Sequence, residues 1–439
     1  MSMVALLMFA VLMLLLLLGY PVAITLGAVA LLFGGIFLEL SFFDLLPLRI
    51  WGIMTNFTLL AVPLFIFMGI VLEKSGLAED LLETMGQLFR PLPGGLAISI
   101  VLVGALLAAA TGVVGATVVT MGVIALPSML KYGYAPSLAT GTIAASGTLG
   151  QIIPPSIVLI LLGDVIGVPV GRVFMAAVVP GLLIVLLFLL YILWNAWTNP
   201  KSAPAITLED PEQQLTLRKL LLSLLPPLLL ILLVLGSIFA GIATPTESAA
   251  MGALGGLLLA LSHRRLNLKN LNAAMLQTLR LTSMVFLILV GATAFGLVFR
   301  GLGGDALMHD LFTQLPGGVW GFLGFSMLLI FILGFFLDFI EICFVVVPIL
   351  APIAAFFQID LLWFAILIAV NLQTSFLTPP FGFSLFYLKA VAPDNLPIQT
   401  IYRGVLPFVA LQLIALALLL IFPKLVVWLP DLSDQLRGL

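Results

Sequence analysis

Charge is what this sequence has least of. Only 8% of its 439 residues are Asp, Glu, Lys or Arg, against about 25% in an ordinary soluble domain. A chain so poor in charge cannot cover a water-facing surface. Cysteine is nearly absent: Cys343 stands alone, which excludes an intramolecular disulfide. Histidine occurs twice, and His263 and His309 both read as loop residues rather than ligands. There is no basic tract suited to nucleic acid. There is no HExxH, Walker-type phosphate loop, CxxC or GxSxG pattern either. Common enzyme chemistries therefore have no footing, and no catalytic residue, organic cofactor or nucleic-acid partner is expected.

What fills the chain is apolar. Hydrophobic residues make up 63% of it, and the mean hydropathy is +1.31. Apolar runs near the length of a membrane span recur from end to end, so the chain reads as an all-α polytopic membrane protein. Such segments fall at about 2–19, 22–40, 55–73, 96–130, 137–166, 173–197, 217–241, 246–262, 281–300, 318–353, 362–391 and 404–429. The opening "MSMVALLMFAVLMLLLLLGYP" lacks a positive n-region and a small-residue cleavage site. It reads as a first transmembrane helix, not a signal peptide. Trp51, Trp194, Trp197 and Trp428 suit an aromatic belt.

The most hydrophilic stretch, 198–219, lies near the midpoint and reads as a linker between halves 1–197 and 220–439. The halves share landmarks. Pro21 and Pro245 are 224 residues apart, the Pro93–Gly95 and Pro316–Gly318 triplets 223, Pro127 and Pro348 221, and the pairs Pro154–Pro155 and Pro379–Pro380 225. Four landmarks at nearly one offset indicate an internal repeat, as in many transporters. Segments 96–130 and 318–353 exceed one ordinary crossing and carry small or polar residues mid-way. If both are re-entrant hairpins, each half has five crossings and the two repeats are inverted; if both cross fully, the repeats are parallel. The mid-segment residues favour hairpins. Under that topology twelve of the 17 Lys and Arg residues fall on one face. The positive-inside rule makes that face cytoplasmic and puts both termini in the periplasm.

Chemistry is expected where the helices break. "SGTLGQIIPPS" (146–156) and "SFLTPPFGF" (375–383) each set a proline pair inside apolar sequence. Proline removes a backbone donor and clashes with the preceding turn. Backbone freed at membrane depth must be buried in protein or line a polar cavity. Freed carbonyls and hydroxyls suit an alkali cation, which wants several hard oxygens. Ser146, Gly147, Thr148 and Gly150 are candidates at the first break, and Gln373, Thr374, Ser375 and Thr378 at the second. The first hairpin tip offers Thr111, Gly112, Gly115 and Thr117, and the second offers Asp338 and Glu341. Acidic groups in an apolar run are expensive and point to function. Asp338 suits a sodium ligand or the cap of a hairpin helix; Glu341 suits a proton relay or an ion pair. In "ATPTESAAMGA" either Thr244 or Thr246 can cap a helix, with Pro245 and Glu247 in its first turn.

These motifs resemble a known family. "SGTLGQIIPPSIVLILLGDV", "NLQTSFLTPPFGFSLF", "VPLFIFMGIVLEKSGLAEDLL", "ATPTESAAMGALGGLLLAL" and "LGFFLDFIEICFVVVPILAPIA" are similar, in order, to the large membrane subunit of tripartite ATP-independent periplasmic (TRAP) transporters. The resemblance spans nearly the whole chain. It implies a sodium-coupled secondary importer of an organic acid in the bacterial inner membrane, working as an elevator. It also implies two partners: a small four-helix membrane subunit and a periplasmic substrate-binding protein. Thr111–Thr117 with Ser146–Pro155 would form one sodium site, and Asp338 with Gln373–Pro380 the other. The substrate carboxylate would lie between the hairpin tips, near Thr111, Thr148, Pro154, Pro155, Pro379 and Pro380. Many members have a serine-rich first tip where this chain has Thr111-Gly-Val-Val-Gly-Ala-Thr117. A stand-alone sodium/dicarboxylate elevator symporter is the alternative. A membrane-embedded enzyme is a more distant one, since it would need clustered intramembrane His, Asp or Lys.

Overall fold

The chain punctuates its helices with proline and glycine, and the elements follow that punctuation. The structure, a computed structural model, describes residues 2–112, 114–206 and 217–437. Among the described residues every regular element is helical. The first half contains α1 (Ser2–Leu17), α2 (Val22–Phe37), α3 (Leu45–Met54), α4 (Ala61–Lys74) and α5 (Leu77–Phe89). It continues with α6 (Gly95–Thr111), α7 (Val114–Lys131), α8 (Pro136–Thr148), α9 (Ile157–Ile166) and α10 (Val170–Thr198). The second contains α11 (Leu217–Phe239), α12 (Pro245–Ser262), α13 (Leu268–Gly301), α14 (Gly304–Thr313) and α15 (Gly318–Leu333). After it come α16 (Phe339–Glu341), which runs through a π turn at Ile342–Val346 into α17 (Val347–Phe356), then α18 (Leu361–Leu377), α19 (Phe383–Val391), α20 (Ile398–Ile421) and α21 (Lys424–Arg437).

Local chemistry explains the boundaries. Pro136 opens α8, where its missing N–H would lack a partner anyway. Asp360 caps α18 by accepting from the N–H groups of Leu362 and Trp363 at 2.8 and 3.1 Å. Thr244, not Thr246, caps α12: it makes a capping box with Glu247 while Pro245 takes the first turn. Thr246 instead donates its hydroxyl to Phe57 O at 2.7 Å, tying α12 to the turn before α4. Thr244→Ala is expected to destabilise the protein by about 1 kcal/mol, and Thr244→Ser to leave it unchanged, in denaturant unfolding from detergent micelles.

Two groups of helices result. In the outer group α2 packs on α13, and α12 on α4. In the inner group α8 packs on α20 and α7, and α18 on α20 and α15. Contacts across the halves are reciprocal. α1 touches α14 as α11 touches α5, and α9 touches α17 as α19 touches α7. α8 and α20 approach closest at Gly141 and Gly404. A Cβ on Gly141 would strike the carbonyl of Gly404, and a Cβ on Gly404 that of Ser137.

The structure departs from the sequence reading in four places. Among the described residues six helices are long and apolar enough to cross a membrane alone, and the pair 40–54 and 58–74, bent by 55°, makes a seventh. α1 and α2 have 16 residues each, about 24 Å, short of the ~30 Å hydrocarbon core. α13 runs for 34 residues, well beyond the apolar segment 281–300. α5 and α14 are absent from the list of apolar segments because each is apolar on one face only. Finally, residues 199–206 are not free linker. Gly94 N–H donates to Ala203 O, Ala135 N–H to Ser202 O, and Ile206 N–H to Arg90 O, each at 2.9 Å. These bonds fix the segment to the turns flanking α6 and α7. Residues 207–216 of the expected linker lie outside the described residues.

Two glycine turns lead from the outer group toward the inner one. Gly76, at φ +68, joins α4 to α5; Gly303, at φ +79, joins α13 to α14. Both need the left-handed backbone that glycine adopts at no steric cost. At Gly76 the Arg265 guanidinium fills the space a side chain would take, donating to Ser75 O and Asp80 Oδ1 at 3.2 Å each. At Gly303 that space is open to 4 Å.

Candidate functional site

The two proline pairs interrupt α8–α9 and α18–α19, and both Pro–Pro bonds are cis. Before the first break a short 3-10 turn, Leu149–Gln151, tightens the chain. Serines stitch the breaks. Ser156 Oγ donates to Gln151 O at 3.1 Å, and Ser384 Oγ to Phe376 O at 2.8 Å. The breaks differ in exposure: Pro154 and Pro155 are buried, whereas Pro380 is exposed and Phe381 is 45% exposed.

Most of the expected hydroxyl ligands are bonded to their own helices. Ser146 Oγ donates to Thr142 O (2.6 Å), Thr374 Oγ1 to Val370 O (2.8 Å), Ser375 Oγ to Leu372 O (2.8 Å) and Thr378 Oγ1 to Thr374 O (2.7 Å). Their lone pairs stay available, since a hydroxyl accepts as well as donates. The Ser146 carbonyl takes the Leu149 N–H, so that candidate oxygen is already engaged. Gly147 abuts Val118 of α7, and Gly150 faces Ala108 of α6.

Thr148 and Gln373, assigned by sequence to separate sites, meet. Thr148 Oγ1 donates to Ala145 O at 2.7 Å and accepts from Gln373 Nε2 at 3.3 Å and Gln412 Nε2 at 3.2 Å. All three side chains are wholly buried. The two broken helices are thus joined to each other and to α20 through one hydroxyl. Gln412 is absent from the sequence candidates. An amide within the apolar run "VALQLIALALLL" was a signal of the kind that flagged Asp338, because unpaired polar groups are costly there.

The first hairpin tip lies against both breaks. Gly112, at φ +61, turns α6 into α7. A Cβ there would lie 3.4 Å from Ile157 of α9, and one on Gly115 3.1 Å from the Tyr387 ring of α19. Thr117 is buried in α7. The side chain of Thr111 and all of Val113 lie outside the described residues. At the second tip, Asp338 and Glu341 form a capping box. Asp338 Oδ1 accepts from Phe339 N–H at 2.7 Å, and Glu341 Oε2 from Asp338 N–H at 3.1 Å. The cap therefore explains why two carboxylates tolerate this position, next to the positive end of a helix. Among the described residues no ion pair of Glu341 with a basic side chain is present.

A cavity of about 910 Å³ separates α3 and α13 from α9, the π turn and α17. Its charged and polar lining is Arg49, Asn56, Asp164, Thr293, Arg300 and Asp305. Asn56 Nδ2 donates to Asp164 Oδ1 at 2.7 Å, bridging the outer and inner groups, while Asn56 Oδ1 accepts from Thr58 N–H at 2.9 Å. None of Thr148, Pro154, Pro155, Pro379 and Pro380 lines this cavity. The sequence reading singles out neither Arg49 nor Arg300; nothing local links them, since 251 residues separate them. Among the described residues no three His, Cys, Asp or Glu side chains cluster as a metal site.

Comparison with known proteins fits this architecture. Residues 9–425 match the family described as "Tripartite ATP-independent periplasmic transporter, DctM component". The chain is 32% identical over 389 residues to the C4-dicarboxylate TRAP transporter large permease protein DctM of Pseudomonas aeruginosa, covering 88% of this chain and 89% of that protein. It is 30% identical over 380 residues to the sialic acid TRAP transporter permease protein SiaT of Haemophilus influenzae, covering 86% of this chain and 60% of that one. Among solved structures it resembles the YdaH transporter of Alcanivorax borkumensis, with a TM-score of 0.62, 18% identity and 98% coverage of both chains. At that identity the likeness speaks for the fold alone.

Proposed function

The chain belongs to the tripartite ATP-independent periplasmic transporter family as its DctM component, and from that premise we propose that it imports an organic acid by sodium-coupled elevator transport. It is the large membrane permease subunit of such a transporter. The observation that carries the mechanistic reading is the cavity between the two helix groups. It is large enough for a small-molecule ligand, and beside Asp164 and Asp305 it offers two guanidinium groups, Arg49 and Arg300, to a carboxylate. In this reading the inner group, drawn from the hairpins and broken helices of both inverted repeats, moves past the outer group, and Asn56–Asp164 is one contact that must part. Sodium binds beside the proline breaks, through the carbonyls of Gly147 and Gly150 and the hydroxyl lone pairs of Thr374, Ser375 and Thr378. Asp338 serves chiefly as a cap.

The termini are assigned to the periplasm, which puts Arg49 and Arg300 on the side where a substrate-binding protein would deliver its ligand. A small membrane subunit completes the assembly. SiaT supports this, because it carries sequence beyond the region matched here that in the present system would be a separate chain. Relatives are named for C4-dicarboxylates and sialic acid, which carry a carboxylate, and for isethionate, which carries a sulfonate, so an acidic group is what these names share.

The test is uptake of a labelled organic acid by liposomes containing this chain, its small subunit and its binding protein, with and without an inward sodium gradient. Stimulation by the gradient is expected, and uptake indifferent to sodium ends the coupling claim. In the same assay Arg300→Gln should raise KM about tenfold, the low end for a lost charge-assisted bond because Arg300 is exposed and screened. An unchanged KM removes Arg300 from the substrate path.

A further inference from the structure

One stripe of α5 faces the first hairpin and changes polarity along its length. Glu79, Glu83, Gln87 and Arg90 recur every three or four residues, so they share a helix face. All four line a cavity of about 340 Å³ between α5 and the hairpin helices α6 and α7, within the range of small-molecule sites. Gly86, on the same stripe, leaves room: a Cβ there would come within 3.3 Å of Leu96 on α6. The facing wall is apolar, with Leu96, Ile100 and Met129. At the basic end the Arg90 guanidinium is underused. Nη2 donates to the Tyr132 hydroxyl at 3.0 Å, while Nη1 is buried and has no hydrogen-bond partner. No carboxylate pairs with Arg90 among the described residues. Lys131 adds a second cation beside the same ring: its Nζ lies 5.8 Å from the Tyr132 centroid, and Arg90 Cζ lies 5.4 Å from it. A buried donor on a charged group is costly unless an acceptor joins it.

Arg90 and Lys131 do complement the negative C-terminal ends of α5 and α7, but that role leaves Nη1 unpaired and the cavity unused. The surroundings say what fits it. In a re-entrant hairpin the turn at Gly112 lies at membrane depth, so the open end, at Gly95 and Lys131, lies at a membrane surface. Leu88 and Leu92 flank Arg90 and are exposed, as on a lipid-facing rim, and Val123 of α7 is exposed too. The occupant must bring an anionic oxygen to Arg90, a hydrogen-bonding cation to the acidic end and apolar carbon to the facing wall. We propose that the cavity binds one phosphatidylethanolamine-type lipid. Its phosphate sits at Arg90 and Tyr132, its ammonium points toward Gln87 and Glu83, and its glycerol and acyl carbons lie along Leu96, Ile100 and Met129. Glu83 precedes Arg90 by seven residues, about 10 Å along the axis, a gap that the two side chains narrow to the span of one headgroup. Glu83 Oε1 accepts from Gln87 Nε2 at 3.1 Å, and a carboxylate keeps further lone pairs for an ammonium. The carboxylates disfavour a phosphatidylglycerol headgroup, which brings no cation. A choline headgroup brings a cation without an N–H to donate.

The experiment reconstitutes the full chain with its small subunit in vesicles of equal parts dioleoyl phosphatidylethanolamine, phosphatidylcholine and phosphatidylglycerol. The complex is then released into detergent, and the lipids it retains are counted by native mass spectrometry. Wild type should retain the ethanolamine lipid in preference to the other two, and stepwise methylation of its amine toward choline should lower that retention. Arg90→Gln should lose one ethanolamine lipid per complex, with affinity for it about tenfold weaker, the low end for a charge-assisted bond. Gln87→Lys, at a half-buried position, places a cation where the ammonium lies and should shift the preference at this site to phosphatidylglycerol. Ethanolamine-lipid retention that is the same in wild type, Arg90→Gln and Gln87→Lys overturns the site, as does a wild type that retains all three lipids equally or favours phosphatidylglycerol. Should Arg90→Gln fail to fold, Gln87→Lys and the methylation series decide the matter. A soluble ligand is the other source of the same chemistry. Thermal stabilisation of the delipidated complex by inorganic phosphate or glycerophosphoethanolamine, equal to that given by the lipid, assigns the cavity to that ligand and overturns the lipid site.

Discussion

Thr148→Val should cost the protein about 2–4 kcal/mol in sodium-free buffer, and Thr148→Ser less than about 1. Valine keeps the shape and deletes the hydroxyl. That removes one donor, from Ala145 O, and one acceptor shared by two amides. A buried donor left unpaired costs about 1–3 kcal/mol. Interhelical hydrogen bonds in membranes average only about 0.6 kcal/mol, because the unfolded helices find other partners in lipid. With two donors stranded these figures double, to about 1 and up to about 6 kcal/mol, and the range above lies between them. Unfolding in mixed detergent micelles, with sodium replaced by choline, measures it without contribution from a bound ion. A valine variant as stable as wild type would show that the three side chains do not meet as described.

Gly404→Ala is the second large effect, expected at about 3 kcal/mol, with Gly404→Val yielding no monodisperse protein on size exclusion. The added carbon at Gly404 meets the Ser137 carbonyl and lies 3.0 Å from Thr140 Oγ1, while Gly404's own carbonyl occupies the space beside Gly141. Backbone against backbone gives no rotamer to escape into, so α8 and α20 must separate, and with them the Thr148–Gln412 bond. Small residues that allow close approach are the usual means of packing helices in lipid. Gly27→Ala is the control. Nothing lies within 4 Å of a Cβ there, and helix propensity then favours alanine by up to ~1 kcal/mol. Should Gly404→Ala match that control, the close crossing is refuted.

Much of this fold was legible because proline and glycine act locally. Pro136, the proline pairs and the glycines before α6 and α15 mark boundaries through φ restriction and missing donors, which one sequence displays in full. The "D-x-x-E" of Asp338 and Glu341 was also legible: it is the spacing of a capping box, and its acidity drew attention to function first. What stayed hidden is long-range. Arg49 meets Arg300 across one cavity only because α3 and α13 pack together. Thr148 and Gln373 were assigned to matching breaks of the two repeats, yet that does not say that two residues touch. Gln412 was passed over because neighbouring leucines outweigh one amide in any hydropathy count. α5 and α14 escaped because their polar faces dilute an apolar signal.

The turns at Gly76 and Gly303 are unequal as joints. The first is bolted to the loop between α12 and α13 by Arg265; the second has no side chain braced against it. A rigid body tethered at one stiff point and one slack point pivots about the stiff one. In the elevator movement proposed above, displacement of the helices between these tethers would sweep an arc centred near Gly76. The second hairpin, which follows the slack joint, would travel the longer path.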